Sequence, residues 1–401
     1  MTKGFNQLFK QVFNLFKITR EINMKRTLLS FSVLGAMLAT GMTQAGGWDR
    51  SGQDTSIILK EGSLLEVTSV SVKPKVTGIY TTAGIPDNGK STSDGVPNYS
   101  LTTMGFRTEI SDNMSLAIIQ DTPFGAEVNW TSGTAGYSFV GIKAKIKSSA
   151  TTLLVGYDLD NVTIYGGLKS QSFSASASNP LVAATFAGGD GTGYSIASTT
   201  DSSLGYVFGA AVEKPEIAMR VALTYHSKVS HDVSVVETLG GVAQAAAPLS
   251  AKTPESINLD FQTGIAANTL LFGTIRQVKW TQTKLSPAFY STYTAGKDLK
   301  KFTSDTTSYT LGLGRKFSDH WSGAVTYGTE SAEGVNGSPL GPTDGYSKMG
   351  LGVTYTGEQA TITLGMQKIN MGDTTAAAGA IMAAMASNTA LVTALKIGYK
   401  F

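Results

Sequence analysis

Three histidines are the only imidazoles in 401 residues, and cysteine is absent. Thiolate metal ligands, cysteine nucleophiles and disulfides are excluded together. His226, His231 and His320 are too few for a histidine-rich metal site. One pairing invites an acyl-transfer reading, His226 beside Ser227. That chemistry needs hydroxyl and imidazole within hydrogen-bond reach. The surrounding segment alternates like a strand, where neighbours point to opposite faces, so the two do not form a dyad. His320 falls in a short polar turn. The sequence therefore predicts no catalytic residue, no metal site and no cofactor. Cations and aromatics are what remain. Lys169, Arg220, Lys228 and Arg276 fall on the polar faces of alternating segments, where they could meet a carboxylate. Phe124, Phe208 and Phe272 are candidate apolar wall residues for the same ligand.

The elements that carry these residues repeat one pattern. Met349, Leu351, Val353 and Tyr355 alternate with Lys348, Gly350, Gly352 and Thr354; Ile362, Leu364 and Met366 alternate with Thr361, Thr363 and Gly365. Side chains on a strand point alternately to its two faces, so each segment has one apolar face and one small or polar face. A soluble sandwich shares that local pattern. Here, however, the apolar faces carry Tyr225, Tyr309, Trp321, Tyr327, Tyr355 and Tyr399, which suit the aromatic girdles of a membrane barrel. The opposite faces would also make a poor sandwich core. Short turns, such as those at 111–113, 158–161 and 318–320, alternate with long connections, such as 82–98, 174–201 and 371–389. That alternation is the outer-membrane barrel arrangement. Counting segments gives an all-β chain, a 14-stranded antiparallel transmembrane β-barrel over 63–401. Its strands lie near 64–81, 99–111, 113–122, 139–158, 161–173, 202–213, 217–230, 253–266, 269–281, 305–317, 320–330, 346–356, 359–370 and 390–401. The last strand puts Leu391, Thr393, Leu395, Ile397, Tyr399 and Phe401 on one face. Tyr399 and Phe401 are the expected signal for the barrel-assembly machinery.

Ahead of the barrel, Met24-Lys25-Arg26, the apolar run Leu28 to Met42 and Thr43-Gln44-Ala45 have the form of an export signal. Cleavage is expected between Ala45 and Gly46. Residues 1–23 read as an upstream extension from a misassigned start, and 24–45 as the signal peptide. Residues 1–45 hold six bases and one acid of the chain's 32 and 29, leaving a slight negative balance of 26 against 28. No nucleic-acid footprint is expected from such a charge. Residues 46–62 are too short for a domain. They are too apolar at Ile57, Ile58 and Leu59 to stand in water, and are expected to fold into the bore as a hatch.

Several loops are apolar. One carries Leu181, Val182 and Phe186, another Val242 to Leu249, and a third Ala376 to Met385, rich in helix formers. Exposed apolar patches mark interaction sites. A diffusion porin would instead set acidic and basic clusters across a wet constriction. The segment Thr122-Pro123-Phe124-Gly125 ends a clean strand. Pro123 cannot donate to a ladder and Gly125 packs no side chain, so either can break pairing there.

Fourteen strands behind a short N-terminal segment resemble the long-chain fatty-acid transporter (FadL) family, which includes aromatic-hydrocarbon importers. Gly46 to Gly52 resembles the start of its luminal hatch. Asp121 to Gly125 resembles the segment after its third strand, where the family kinks inward. Arg220 to Val229 resembles its seventh strand, and Pro254-Glu255-Ser256 the opening of its eighth. The hatch is shorter than usual and lacks the family's Asn-Pro-Ala motif; the arginine expected near the outer end of strand five is replaced by Lys169 at best. The resemblance implies uptake of hydrophobic compounds, fatty acids or similar, by loop capture, a luminal pocket and lateral exit at Thr122, Pro123, Phe124 and Gly125. General diffusion and aromatic-hydrocarbon import remain the alternatives. Lys169, Arg220, Arg276, Phe124, Phe208 and Phe272 are the expected ligand residues. The implied partners are a hydrophobic small molecule, outer-membrane lipid and lipopolysaccharide, and the implied state is a monomer.

Overall fold

The computed structural model describes residues 47–182, 193–334 and 337–401. The expected leader and its cleavage between Ala45 and Gly46 lie outside the described residues, as does Phe186. Fourteen antiparallel strands form one closed wall. They are β1 (Leu64–Lys75), β2 (Tyr99–Ser111), β3 in two pieces (Met114–Asp121 and Gly125–Asn129), β4 (Lys143–Leu159), β5 (Val162–Asn179) and β6 (Asp201–Lys214). Then come β7 in two pieces (Met219–His226 and Val229–Leu239), β8 in two pieces (Ala247–Thr253 and Ser256–Ala266) and β9 (Thr269–Val278). The last five are β10 (Thr306–Lys316), β11 (Trp321–Glu330), β12 (Tyr346–Thr356), β13 (Ala360–Met371) and β14 (Thr389–Lys400). The ring closes where β1 pairs with β14, Leu64 opposite Lys400.

Period-two sequence becomes a two-faced wall. On β10 to β12, Tyr309, Leu311, Leu313, Trp321, Tyr327, Leu351 and Tyr355 are exposed on the outside, forming the apolar, aromatic-edged belt that a bilayer covers. Glycine, threonine and lysine face inward. Among the described residues no helix is long and apolar enough to cross a membrane.

The strands differ from the sequence expectation mainly at their outer ends. β5 runs on to Asn179, and β7 and β8 continue past short breaks to Leu239 and from Ala247, so parts of two expected loops are wall. The alanine-rich segment 374–385 is a β-hairpin, not a helix. Thr374–Ala378 pairs with Ile381–Met385, which also pairs with Gly78–Tyr80; an available partner strand overrides helix propensity. The loop between β9 and β10 holds a short helix, Ala288–Tyr293. Its first turn is capped by Glu237, whose carboxylate accepts the Phe289 N–H at 3.0 Å, the Tyr290 N–H at 2.7 Å and the Tyr194 hydroxyl at 2.8 Å.

The hatch lies in the bore. Ile57 and Ile58 are buried against Leu64, Ile119, Leu154 and Val207. At its inner end Arg107 donates to the Ile58 carbonyl at 3.3 Å and the Gly62 carbonyl at 2.5 Å. Lys60 and Lys396 both pair with Glu66.

Candidate functional site

The break in β3 is where hatch and wall meet. Asp49 bridges Phe124 in antiparallel fashion. The Arg50 N–H donates to Pro123 at 3.0 Å, the Ser51 N–H to Thr122 at 3.1 Å, and the Gly125 N–H to the Trp48 carbonyl at 2.7 Å. The Ser51 hydroxyl bonds the Asp121 carboxylate. Thr122 to Phe124 thus leave the wall ladder to join the hatch, and Ser148 Oγ satisfies the freed Phe124 backbone, donating to its carbonyl at 2.7 Å and accepting its N–H at 3.0 Å. The wall feels the same break. β2 pairs with β3 only from Met104 opposite Gln120 downward, so Tyr99 to Thr103 have β1 as their one ladder partner. Inside that unpaired stretch the Arg50 guanidinium lies 3.8 Å over the Tyr99 ring.

Four aromatic rings close the hatch from above. Trp48 stands 6.4 Å from Trp280 and 5.2 Å from Phe302, and Phe124 stands 5.7 Å from Trp280, all edge to face. That geometry favours the ring quadrupoles. A Cβ on Gly47, at φ +154°, would fall 2.1 Å from the Trp280 ring, so only glycine admits this approach.

Trp48 is the floor of an apolar pocket walled by Ala126, Val128, Ile146, Ile196, Val235 and Leu249 and roofed by Leu285 and Leu299. One cation lines it, Lys300, whose Nζ sits 4.6 Å from the Phe302 ring centroid. Burial holds this ammonium below the usual lysine range, with Glu333 as a weaker opposing influence. The free volume is about 40 Å³, well under the roughly 150 Å³ that admits benzene. A ligand must therefore displace loop or hatch to enter. A second, more polar cavity lies beyond the hatch, between Asp54 and Ile57 on one side and Leu101, Thr103, Ile119 and Lys396 on the other. It abuts the unpaired stretch of β2.

The expected ligand residues scatter. Phe124 is fully buried in the aromatic cluster. Phe272 faces the bore, packed over Gly312, but lines neither cavity. Lys169, 2% exposed, also faces the bore; its Nζ and both ring nitrogens of His226 have no hydrogen-bond partner among the described residues. Arg276 is occupied, donating to Asp49 at 2.6 and 3.0 Å and to Ser256, Asn258 and Gln53. Arg220 reaches Glu213 at 3.6 Å and the Leu59 carbonyl at 3.4 Å near the inner end. Lys228, expected on a polar inward face, is instead exposed in the break of β7, because the break turns Ser227 and Val229 inward on either side of it. Phe208 needs correction. It is 60% exposed on the outer wall, because β6 turns Gly205, Val207, Gly209 and Ala211 inward. A Cβ on Gly209 would fall 2.2 Å from Tyr165, so the bore there takes the neighbour's ring and Phe208 takes lipid. Trp48, Trp280 and Lys300 were missed. Only the tryptophan in the hatch stands out in the sequence, and nothing there pairs it with Trp280.

Two of the histidines are hydrogen-bonded within the wall and its turns. His231 is held by Asp201 at 3.0 Å and Gln171 at 3.3 Å, and His320 by the Thr356 carbonyl at 2.9 Å.

No family model and no curated protein sequence matches the chain. Solved structures do. A Pseudomonas aeruginosa FadL homologue superposes with a TM-score of 0.69 at 15% identity, over 92% of this chain and 100% of its own. The Pseudomonas putida toluene transporter TodX gives 0.60 at 12%, over 91% and 96%. The Ralstonia pickettii toluene transporter TbuX gives 0.57 at 10%, over 91% and 97%. The chain has the FadL-type fold. At these identities the likeness is one of architecture.

Proposed function

We propose that the protein is an outer-membrane channel for uptake of hydrophobic small molecules that carry an anionic head, fatty acids being the representative class. One observation carries this reading: an apolar pocket lined by a single, half-buried cation stands on a hatch that is hydrogen-bonded to a break in the barrel wall. Lipopolysaccharide bars greasy molecules, and a wet lumen gives them nothing to bind. An apolar pocket under the loops supplies that missing surface, at about 25 cal/mol per Å² of apolar area removed from water. Lys300 suits a carboxylate, since a charge-assisted hydrogen bond in a dry pocket is among the stronger polar contacts.

From the pocket the ligand passes the Trp48–Gly125 hydrogen bond and leaves sideways between β2 and β3, at Thr122, Pro123, Phe124 and Gly125. Lateral exit spares apolar cargo a second exposure to water; each methylene kept from it is worth about 0.8 kcal/mol. The toluene transporters that share this fold support a hydrophobic cargo, the anionic head rests on Lys300, and the seated hatch opposes a general diffusion porin.

The test is a tether across the unpaired stretch. The chain has no cysteine, so a bis-maleimide joining Thr102→Cys to Glu127→Cys reports on that place alone. We expect the tethered barrel to keep ligand binding and lose uptake of labelled oleate, with the single-cysteine variants unaffected. Uptake at the untethered rate would replace lateral exit with a straight path past the hatch.

A further inference from the structure

The outer wall carries a lysine pattern that neither transport nor the fold explains. On β4, Lys143, Lys145 and Lys147 occupy three successive outward positions, facing Ser178, Ser176 and Ser174 of β5 in register. On β1, Lys73 and Lys75 do the same. Lys73 lies opposite Leu391 of β14, and Leu391 lies opposite Lys368 of β13, so Lys73 and Lys368 share one row. All but the half-buried Lys145 are exposed. Lys145 pairs with Glu127 at 2.7 Å; none of the other five has an ion pair among the described residues.

Their height is set by the belt. The apolar outer face of β4 ends at Leu153, with Thr151 next. At about 3.3 Å per residue and a tilt of about 40°, Lys147 stands roughly 10 Å above Thr151 and Lys143 roughly 20 Å. Lys368 and Lys73 stand one row above Met366, an exposed belt residue. The β4 levels are those of lipid headgroups and the first sugars, while Lys368 and Lys73 stand at the upper edge of the belt, in register with Leu391 and Met349. The pattern is also one-sided. β13, β14, β1, β2, β3 and β4 are consecutive around the wall, so the lysines flank the unpaired stretch of β2 on both sides. At comparable outer positions β7 and β8 show Lys228, Ser230, Asp232, Ser234, Ser250 and Lys252, two separated lysines with an aspartate between them rather than a row of lysines.

We propose that this arc binds the phosphorylated glucosamine headgroup of lipopolysaccharide, holding lipid A beside the gap between β2 and β3. Two phosphates on one headgroup can reach the ammonium groups of β1 and β4, which are three strands and so roughly 14 Å apart, and the serine row on β5 adds hydroxyl donors. A lone surface lysine binds little, and salt screens it; six on one arc act together. The inference rests on the outer-membrane reading, and its test is separate. Density-gradient fractionation decides where the protein resides, while binding is measured on the purified full-length barrel.

The probe is bisphosphorylated hexa-acyl lipid A, titrated in detergent and followed by native mass spectrometry. K143Q/K145Q/K147Q should weaken binding at least tenfold, K73Q/K75Q should weaken it less, and K252Q should leave it unchanged. K143R/K145R/K147R should restore it, as an electrostatic role demands. Monophosphorylated lipid A should bind more weakly than the bisphosphorylated form. Wild-type binding by the glutamine triple variant, or failure of the arginine variant to rescue, would overturn the proposal. Equal binding of phosphatidylglycerol would overturn it too, reducing the arc to a general anionic surface. Heat-modifiability on gels confirms that each variant is a folded barrel before its binding is scored.

Discussion

The Gly125 backbone N–H donates to the Trp48 carbonyl at 2.7 Å, which makes a residue of the wall and a residue of the hatch hydrogen-bonding partners. The strand break is therefore satisfied by the hatch, and the hatch is held by the break. Parting the two orphans these backbone groups, each at a cost of about 1–3 kcal/mol where no water replaces the partner. Movement of Trp48 and restoration of the β3 ladder are coupled events.

Trp48→Ala tests that coupling. The variant loses the ring that meets Trp280 and Phe302 and opens the pocket floor. Large aromatic truncations in packed cores cost about 3–5 kcal/mol, felt here at the hatch while the wall ladders stay intact. We expect a barrel that assembles and is heat-modifiable, with planar-bilayer conductance raised above the wild-type baseline. Unchanged conductance would mean that the backbone bonds alone seat the hatch.

Arg276→Met should release the same hatch from the opposite wall. The guanidinium binds Asp49 twice and also accounts for Ser256, Asn258 and Gln53. Breaking a buried pair costs about 3–5 kcal/mol, an upper bound here because Asp49 keeps some access to water. Increased protease cleavage between 47 and 62, with intact strands, is the expected result. Arg276→Lys should recover only part of the protection, since it cannot reproduce the two-pronged contact.

Much of this architecture was legible in the sequence. Strand positions were, because each strand has lipid on one face and small or polar residues on the other. The break at Pro123 and Gly125 was as well, from backbone chemistry alone. The inward side of β6 was not. Leu204, Tyr206 and Phe208 compete there with Val207 and Ala211, so both faces look apolar and parity gives no answer. The upper pocket was hidden for another reason. Trp48, Trp280, Leu285 and Lys300 meet only after the barrel closes, and no local pattern links them. Ala376 to Met385 misled because composition favours a helix while Gly78–Tyr80 offers a strand to pair with.

Phe401 closes the seam. Its N–H donates to the Ser63 carbonyl at 3.1 Å, and its ring lies 6.2 Å from Phe106 and 5.7 Å from Tyr399. β1 and β14 are wall neighbours from opposite ends of the barrel sequence, so their ladder carries a large loop-closure cost and a weakened contact there slows closure. Phe401→Ala should lower the amount of heat-modifiable barrel in membranes and leave uptake per folded barrel unchanged. Normal abundance would show that the Leu64–Lys400 ladder closes without the ring.

Lys300→Met separates a carboxylate-bearing ligand from an uncharged hydrocarbon. Lys300 is the single cation lining the upper pocket, and burial lowers its pKa. A bound carboxylate needs the ammonium form. Carboxylate affinity should therefore be constant below that lowered pKa and fall as pH rises through it, because the neutral amine then offers no charge. Binding in turn raises the pKa, so carboxylate uptake near it takes up protons. An uncharged hydrocarbon reverses the sign, since deprotonation makes the pocket more apolar and affinity stays flat or rises. A hydrogen bond to a charged group is worth about 1.5–3 kcal/mol, so Lys300→Met should weaken oleate roughly 10- to 150-fold and abolish the pH dependence. The same variant should bind toluene as well as wild type or better. Oleate affinity unchanged by the substitution, with toluene bound tightly by both proteins, would make aromatic hydrocarbons the better substrate class and leave Lys300 as a support for the Phe302 ring.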